Sequence, residues 1–231
     1  MMDRALGFLV SALLGCLALF TLAVPARTGT VDCEAATGPV ASAVCHGKTL
    51  PELDRQLQVS LGAAKAALSD GAICLSEDEA RWEAEVRKPC GDNEDCLRRV
   101  YLERLAALNE VLPEDRRPAE LDLPQVPVLV TALPPAPEAK GEPVGGPFAV
   151  TGQLVEKGGD AEASGIAIRS LVGRTTVILP AAHANDGPAH AALVAAVKSA
   201  GETLFRIEGN MNPTTGSLAM NKCRFVYRLP E

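Results

Sequence analysis

The chain has 231 residues and a mass of 24.1 kDa, room for one large domain or two small ones at ~150 residues each. Hydrophobic residues make up 47% and charged residues 22%, which argues against a wholly disordered chain. Five Phe, two Tyr and one Trp are too few for a base- or sugar-stacking platform. A net charge of −7 disfavours a general nucleic-acid binder and suits a basic partner instead.

The N-terminus reads as an address. Met1–Arg4 is followed by 22 uncharged positions, Ala5 to Ala26, ending in the small-residue site Val24-Pro25-Ala26. This is the pattern of a cleaved export signal over residues 1–26. Two rival readings are a lipoprotein site at Leu13-Leu14-Gly15-Cys16, with Cys16 lipidated, and an uncleaved N-terminal anchor. All three place the remainder outside the cytoplasm, in the periplasm or cell envelope. Any membrane contact is expected only through that terminus.

Setting Cys16 aside leaves Cys33, Cys45, Cys74, Cys90, Cys96 and Cys223, an even count that favours disulfides in an exported chain. Spacing suggests two local pairs, Cys33–Cys45 and Cys90–Cys96. Cys74 and Cys223 are each left over in their own half. They either bridge the halves or stay free and buried, which spacing does not decide. No CxxC is present and the histidines lie away from ligand spacing, so no metal is expected.

Residues 27–112 read as an all-helical module. Thr49-Leu-Pro-Glu52 is a capping box, and Leu53, Leu57, Leu61, Ala64 and Leu68 follow at helical spacing up to Asp70-Gly71. A second box, Ser76-Glu-Asp-Glu79, is expected to open a helix carrying Trp82 and Val86 that stops near Pro89. A third helix is expected from Asp92–Asp95, with Leu97, Val100, Tyr101, Leu105, Leu108 and Leu112 inward. Residues 113–146 carry eight prolines in 34 positions and read as an extended linker without a core. Residues 147–231 alternate as strands, with one helix from Asp186-Gly-Pro188 to Gly201. The order β-β-β-α-β-β suggests a small OB-like barrel. The expected fold class is α+β and multidomain, a disulfide-stapled three-helix module followed by that barrel.

Catalytic signals are thin. No GxSxG elbow is present, His183 and His190 flank a helix start as surface residues, and Gly145-Gly146 lacks a phosphate-loop context. Glu79 and Glu83 sit one helical turn apart, but their acidic neighbours make a solvated helix face the simpler reading. No catalysis and no cofactor are expected.

The helical half resembles a known family. Asp32-Cys33-x2-Ala36, Ala43-Val44-Cys45, Leu53-Asp54-x2-Leu57, Trp82-x4-Arg87-x2-Cys90 and Cys96-Leu97-x3-Tyr101-x2-Arg104-x3-Leu108 resemble the LprI-like family of exported bacterial lysozyme inhibitors over residues 33–109. This chain has Glu79 where many members carry Gln three residues before the Trp, lacks the usual Glu before the second Cys, and adds Cys74. The resemblance implies a protein that blocks a lysozyme-like glycosidase by binding it.

Charge fits such a partner, since residues 33–112 hold 14 acids and 9 bases while 147–231 hold 7 and 8. Many lysozymes are basic, and an acidic module would steer one in. The candidate contact residues are Glu77, Asp78, Glu79, Glu83 and Glu85, with Asp92, Glu94 and Asp95. The competing function is an envelope adaptor whose two modules only dock other proteins.

Overall fold

The computed structural model describes residues 31–35, 37–118, 120–157, 165–171, 176–179, 187–199 and 201–231. The export segment, Cys16 and His183 lie outside the described residues. Among the described residues four of the five α-helices come first, one more than the three expected because Pro39–His46 is also helical: α1 (Pro39–His46), α2 (Leu50–Leu68), α3 (Ala72–Trp82) and α4 (Glu94–Leu108). They are followed by strands β1 (Val128–Leu133), β2 (Pro147–Lys157), β3 (Gly165–Ser170) and β4 (Thr176–Leu179), then α5 (Pro188–Ser199), β5 (Phe205–Asn210) and β6 (Arg224–Arg228). No described helix is long and apolar enough to cross a membrane.

The α2 stripe folds as its spacing predicts: Leu53, Leu57, Leu61, Ala64 and Leu68 are all buried. Helix α3 departs from expectation. It starts at Ala72, four residues before the Ser76 box, after a 3-10 turn over Ser69–Gly71. Ser76 therefore sits inside the helix, its hydroxyl donating to the Ala72 carbonyl at 3.1 Å. Burial decides the earlier start, because Cys74 and Leu75 are fully buried and a helix is what carries both inward. After Trp82 the chain makes a π-turn over Glu83–Arg87 and a 3-10 turn over Lys88–Cys90. The wider turn rotates later residues around the axis, and Val86 is left exposed. Helix α4 is capped by Asn93, whose Oδ1 accepts from the Cys96 amide at 2.9 Å.

The proline-rich segment is more than a linker. It supplies β1, which joins a six-stranded antiparallel sheet of order β1-β6-β5-β2-β3-β4. Five of the six β1 residues are buried, because the strand is covered on both faces. Leu129 and Ala132 pack into the helical core, while Val130 and Leu133 pack beneath α5. A register shift between Leu129 and Thr131 produces this unequal spacing, an irregularity that re-aims side chains within one strand. On β6 the alternation is regular: Phe225 and Tyr227 face the helices, and Val226 faces the core under α5. Among the described residues β1 and β4 form the two edges of the sheet.

Three disulfides join Cys33 to Cys45, Cys90 to Cys96, and Cys74 to Cys223. The first two are local. The third ties α3 to the residue preceding β6 across 149 positions, so the helices and the sheet are bolted along a shared apolar seam. Gly71 lies in that seam, where a Cβ would stand 2.5 Å from the Ala132 carbonyl oxygen.

Candidate functional site

The positions that carry the sequence signature converge inside the helical region. Asp54, on the buried face of α2, accepts the Tyr101 hydroxyl at 2.7 Å through Oδ1 and the Val31 amide at 3.1 Å through Oδ2. Arg87 donates to the same Tyr101 hydroxyl at 3.3 Å and pairs with Glu83 at 2.9 Å. The Trp82 ring meets Tyr101 edge-on at 5.6 Å between centroids. Its face is covered by the Arg87 guanidinium at 5.5 Å and the Arg104 guanidinium at 5.9 Å, both within cation–π range.

Arg104 extends this network toward the sheet. Buried on α4, it donates to Asp78 at 2.7 Å and to Glu79 at 2.8 and 3.0 Å, both on α3. Asp78 also takes Arg81 at 2.5 Å, and Arg81 lies 5.9 Å from the centre of the Phe225 ring on β6. Burial raises the Glu79 carboxyl above its usual range, the Arg104 charge offsetting part of that effect. Burial alone would lower Arg104, but Asp78 and Glu79 outweigh it and hold the guanidinium charged. Tyr101 is pushed well above the ordinary phenol range, first by burial and then by Asp54.

This geometry divides the predicted acidic face. Asp78 and Glu79 are 7% and 9% exposed and are bound to Arg104, so they are structural ion-pair members with little surface left for a partner. Glu83 is half-buried and held by Arg87. Glu77, Glu85, Asp92, Glu94 and Asp95 are exposed. Of these, Asp92, Glu94 and Asp95 crowd into the short turn closed by the Cys90–Cys96 bridge, with Glu85 in the π-turn just before it. Glu77 stands apart on α3.

Sequence reasoning missed the roles of Asp54 and Arg104 as internal ions. A signal for Asp54 was present, since it lies three residues before Leu57 and so on the apolar stripe of α2. Arg104 gave none, because its partners are 25 and 26 residues away.

A groove of about 410 Å³ opens where α3 meets the sheet. Glu77 and Arg81 line one wall, and Phe148, Arg206, Glu208 and Lys222 line the other. Arg206 and Glu208 pair with each other at 2.8 Å, so the groove has mixed charge and no net preference for one sign. Among the described residues no group of three His, Cys, Asp or Glu is placed to hold a metal ion. Comparisons with family models, curated proteins and solved structures find no match to this chain.

Proposed function

We propose that this protein is an exported cell-envelope binding protein that inhibits a lysozyme-type muramidase by docking on it, without catalysis of its own. The observation that carries this reading is the sorting of the signature residues. Those that resemble the LprI-like family form one buried network and two local staples, the arrangement of a rigid small scaffold. Four of the five candidate acids left at the surface, Glu85, Asp92, Glu94 and Asp95, gather on and beside the Cys90–Cys96 turn, with Glu77 apart on α3. A disulfide-fixed turn carrying exposed carboxylates suits a basic enzyme, because little order is lost on binding and charge speeds encounter.

Three disulfides support the export reading, since such bonds persist in oxidising compartments. In the sheet half, one helix between β4 and β5 supports the OB-like reading, with β1 lying along β6 as an added strand.

The test is clearance of a cell-wall suspension by a panel of muramidases, with purified residues 27–231 added in increasing molar ratio. The proposal expects clearance by at least one basic muramidase to fall as the ratio approaches one to one. Undiminished clearance across the panel would favour the adaptor reading.

A further inference from the structure

The disulfide order has a consequence for how the chain matures. Along the chain the six bonded cysteines pair first with second, fourth with fifth, and third with sixth. The bridge from Cys74 to Cys223 therefore spans the closed Cys90–Cys96 loop. Before Cys223 is made, Cys74, Cys90 and Cys96 can pair in three ways, and two of the three consume Cys74. Closing the 16-residue gap to Cys90 is favoured over the 149-residue gap to Cys223 by roughly thirtyfold on loop entropy. Cys223 also follows Cys90 by 133 residues, on the order of ten seconds of synthesis. In the folded chain Cys74 is fully buried, so a wrong bond to it has to be reopened before the helices finish packing.

We propose that this protein is a client of a thiol–disulfide isomerase, which rescues Cys74 from premature bonds to Cys90 or Cys96 so that the seam can close. The rearrangement is redox-neutral. The isomerase thiolate attacks Cys90 Sγ in a Cys74–Cys90 bond, forming a mixed disulfide and releasing the Cys74 thiolate. That thiolate attacks Cys223 Sγ in a Cys96–Cys223 bond, forming Cys74–Cys223 and releasing Cys96. The Cys96 thiolate then attacks Cys90 Sγ, closing Cys90–Cys96 and returning the isomerase thiolate. Two protein disulfides enter and two leave. The proposal rests on export to an oxidising compartment and is independent of muramidase binding, so failure to inhibit leaves it standing.

The experiment exports the full chain in bacterial hosts with and without a disulfide isomerase and maps disulfide-linked peptides without reduction. With the isomerase, the three native links are expected. Without it, Cys74–Cys90 or Cys74–Cys96 peptides should appear and the yield of native chain should fall several-fold. The double variant Cys90→Ser, Cys96→Ser removes the competitors and should form Cys74–Cys223 equally in both hosts. If that variant does not accumulate, the reduced parent chain is refolded in a glutathione buffer with and without added isomerase. Links from Cys74 to Cys90 or Cys96 should then build up before the native bond, and isomerase should shorten their lifetime. Identical maps and yields in both hosts, or refolding in which those links never appear, would overturn the proposal.

Discussion

The helical region and the sheet region bury cores of different chemistry. The helices enclose an ionic and aromatic network, Asp54, Tyr101, Arg87, Trp82, Arg104, Asp78 and Glu79, and carry two disulfides of their own. Beneath α5 the sheet buries a mainly apolar core, among it Phe205, Ile207, Ile168 and Leu193, with Thr131 and Arg224 the buried polar residues on its strands, and among the described residues it has no bridge within itself. The difference teaches where each region's specificity comes from. Short helices with a thin apolar stripe gain a unique packing from directional hydrogen bonds and charge pairs. A six-stranded sheet already fixes its register by backbone pairing, and mainly apolar filling suffices for it.

The strongest way to break this contrast is Arg104→Ala. It leaves Glu79 buried without its paired cation and Asp78 with Arg81 alone, and about 3–5 kcal/mol of stability should be lost in urea unfolding. Next is the double variant Cys74→Ser, Cys223→Ser. Releasing so long a loop should cost about 2–5 kcal/mol. Calorimetry should then separate the unfolding of helices and sheet, which in the parent are expected to melt as one transition. Gly71→Ala attacks the same seam without touching a cysteine. The added methyl meets the Ala132 carbonyl, backbone that cannot swing aside, and a loss of about 1–3 kcal/mol is expected in thermal melts.

The smallest effect belongs to Glu79→Gln. Asp78 still pairs Arg104, and the change should shift stability at neutral pH by no more than about 1 kcal/mol. Its pH dependence has a definite sign. Burial raises the Glu79 carboxyl in the folded state, so the folded protein binds that proton more tightly than the unfolded chain does. The contribution is present below the unfolded carboxylate range and is lost as pH rises through the raised value. Parent stability minus that of Glu79→Gln should therefore become less favourable between pH 4.5 and pH 7. A difference that grows more favourable with pH would show that Arg104 outweighs burial.

Much of this architecture is legible in the residues. The α2 stripe, the two local cysteine pairs and the strands from β2 onward follow from spacing, and the start of α4 from acids at a helix N-terminus. Neither expected capping box forms, since Thr49 makes no side-chain cap bond and Ser76 lies inside α3. β1 was hidden because it sits among prolines and is buried on both faces, so Val128–Leu133 shows no alternation to mark one side as core. Its register shift blurs the period further. The start of α3 was obscured by Ser76, whose hydroxyl fits a cap as readily as the interior bond it makes. Asp78 and Glu79 read as surface because a charged helix face is ordinarily solvated. Only the approach of Arg104 from another helix turns them inward. The candidate site was thus half legible: its acidic character came through, but the division into five exposed acids and three held ones required the fold.

That division can be tested directly. The variant Glu77→Gln, Glu85→Gln, Asp92→Asn, Glu94→Gln, Asp95→Asn alters only exposed acids and should melt within a few degrees of the parent, since surface substitutions change stability little. Its affinity for an inhibited basic muramidase should be about tenfold weaker at low salt, and the gap should narrow at about 0.15 M salt, where the screening length is near 8 Å. Affinity equal to the parent's at low salt, in a variant that folds normally, would contradict the assignment of muramidase binding to the exposed acids of the helical region.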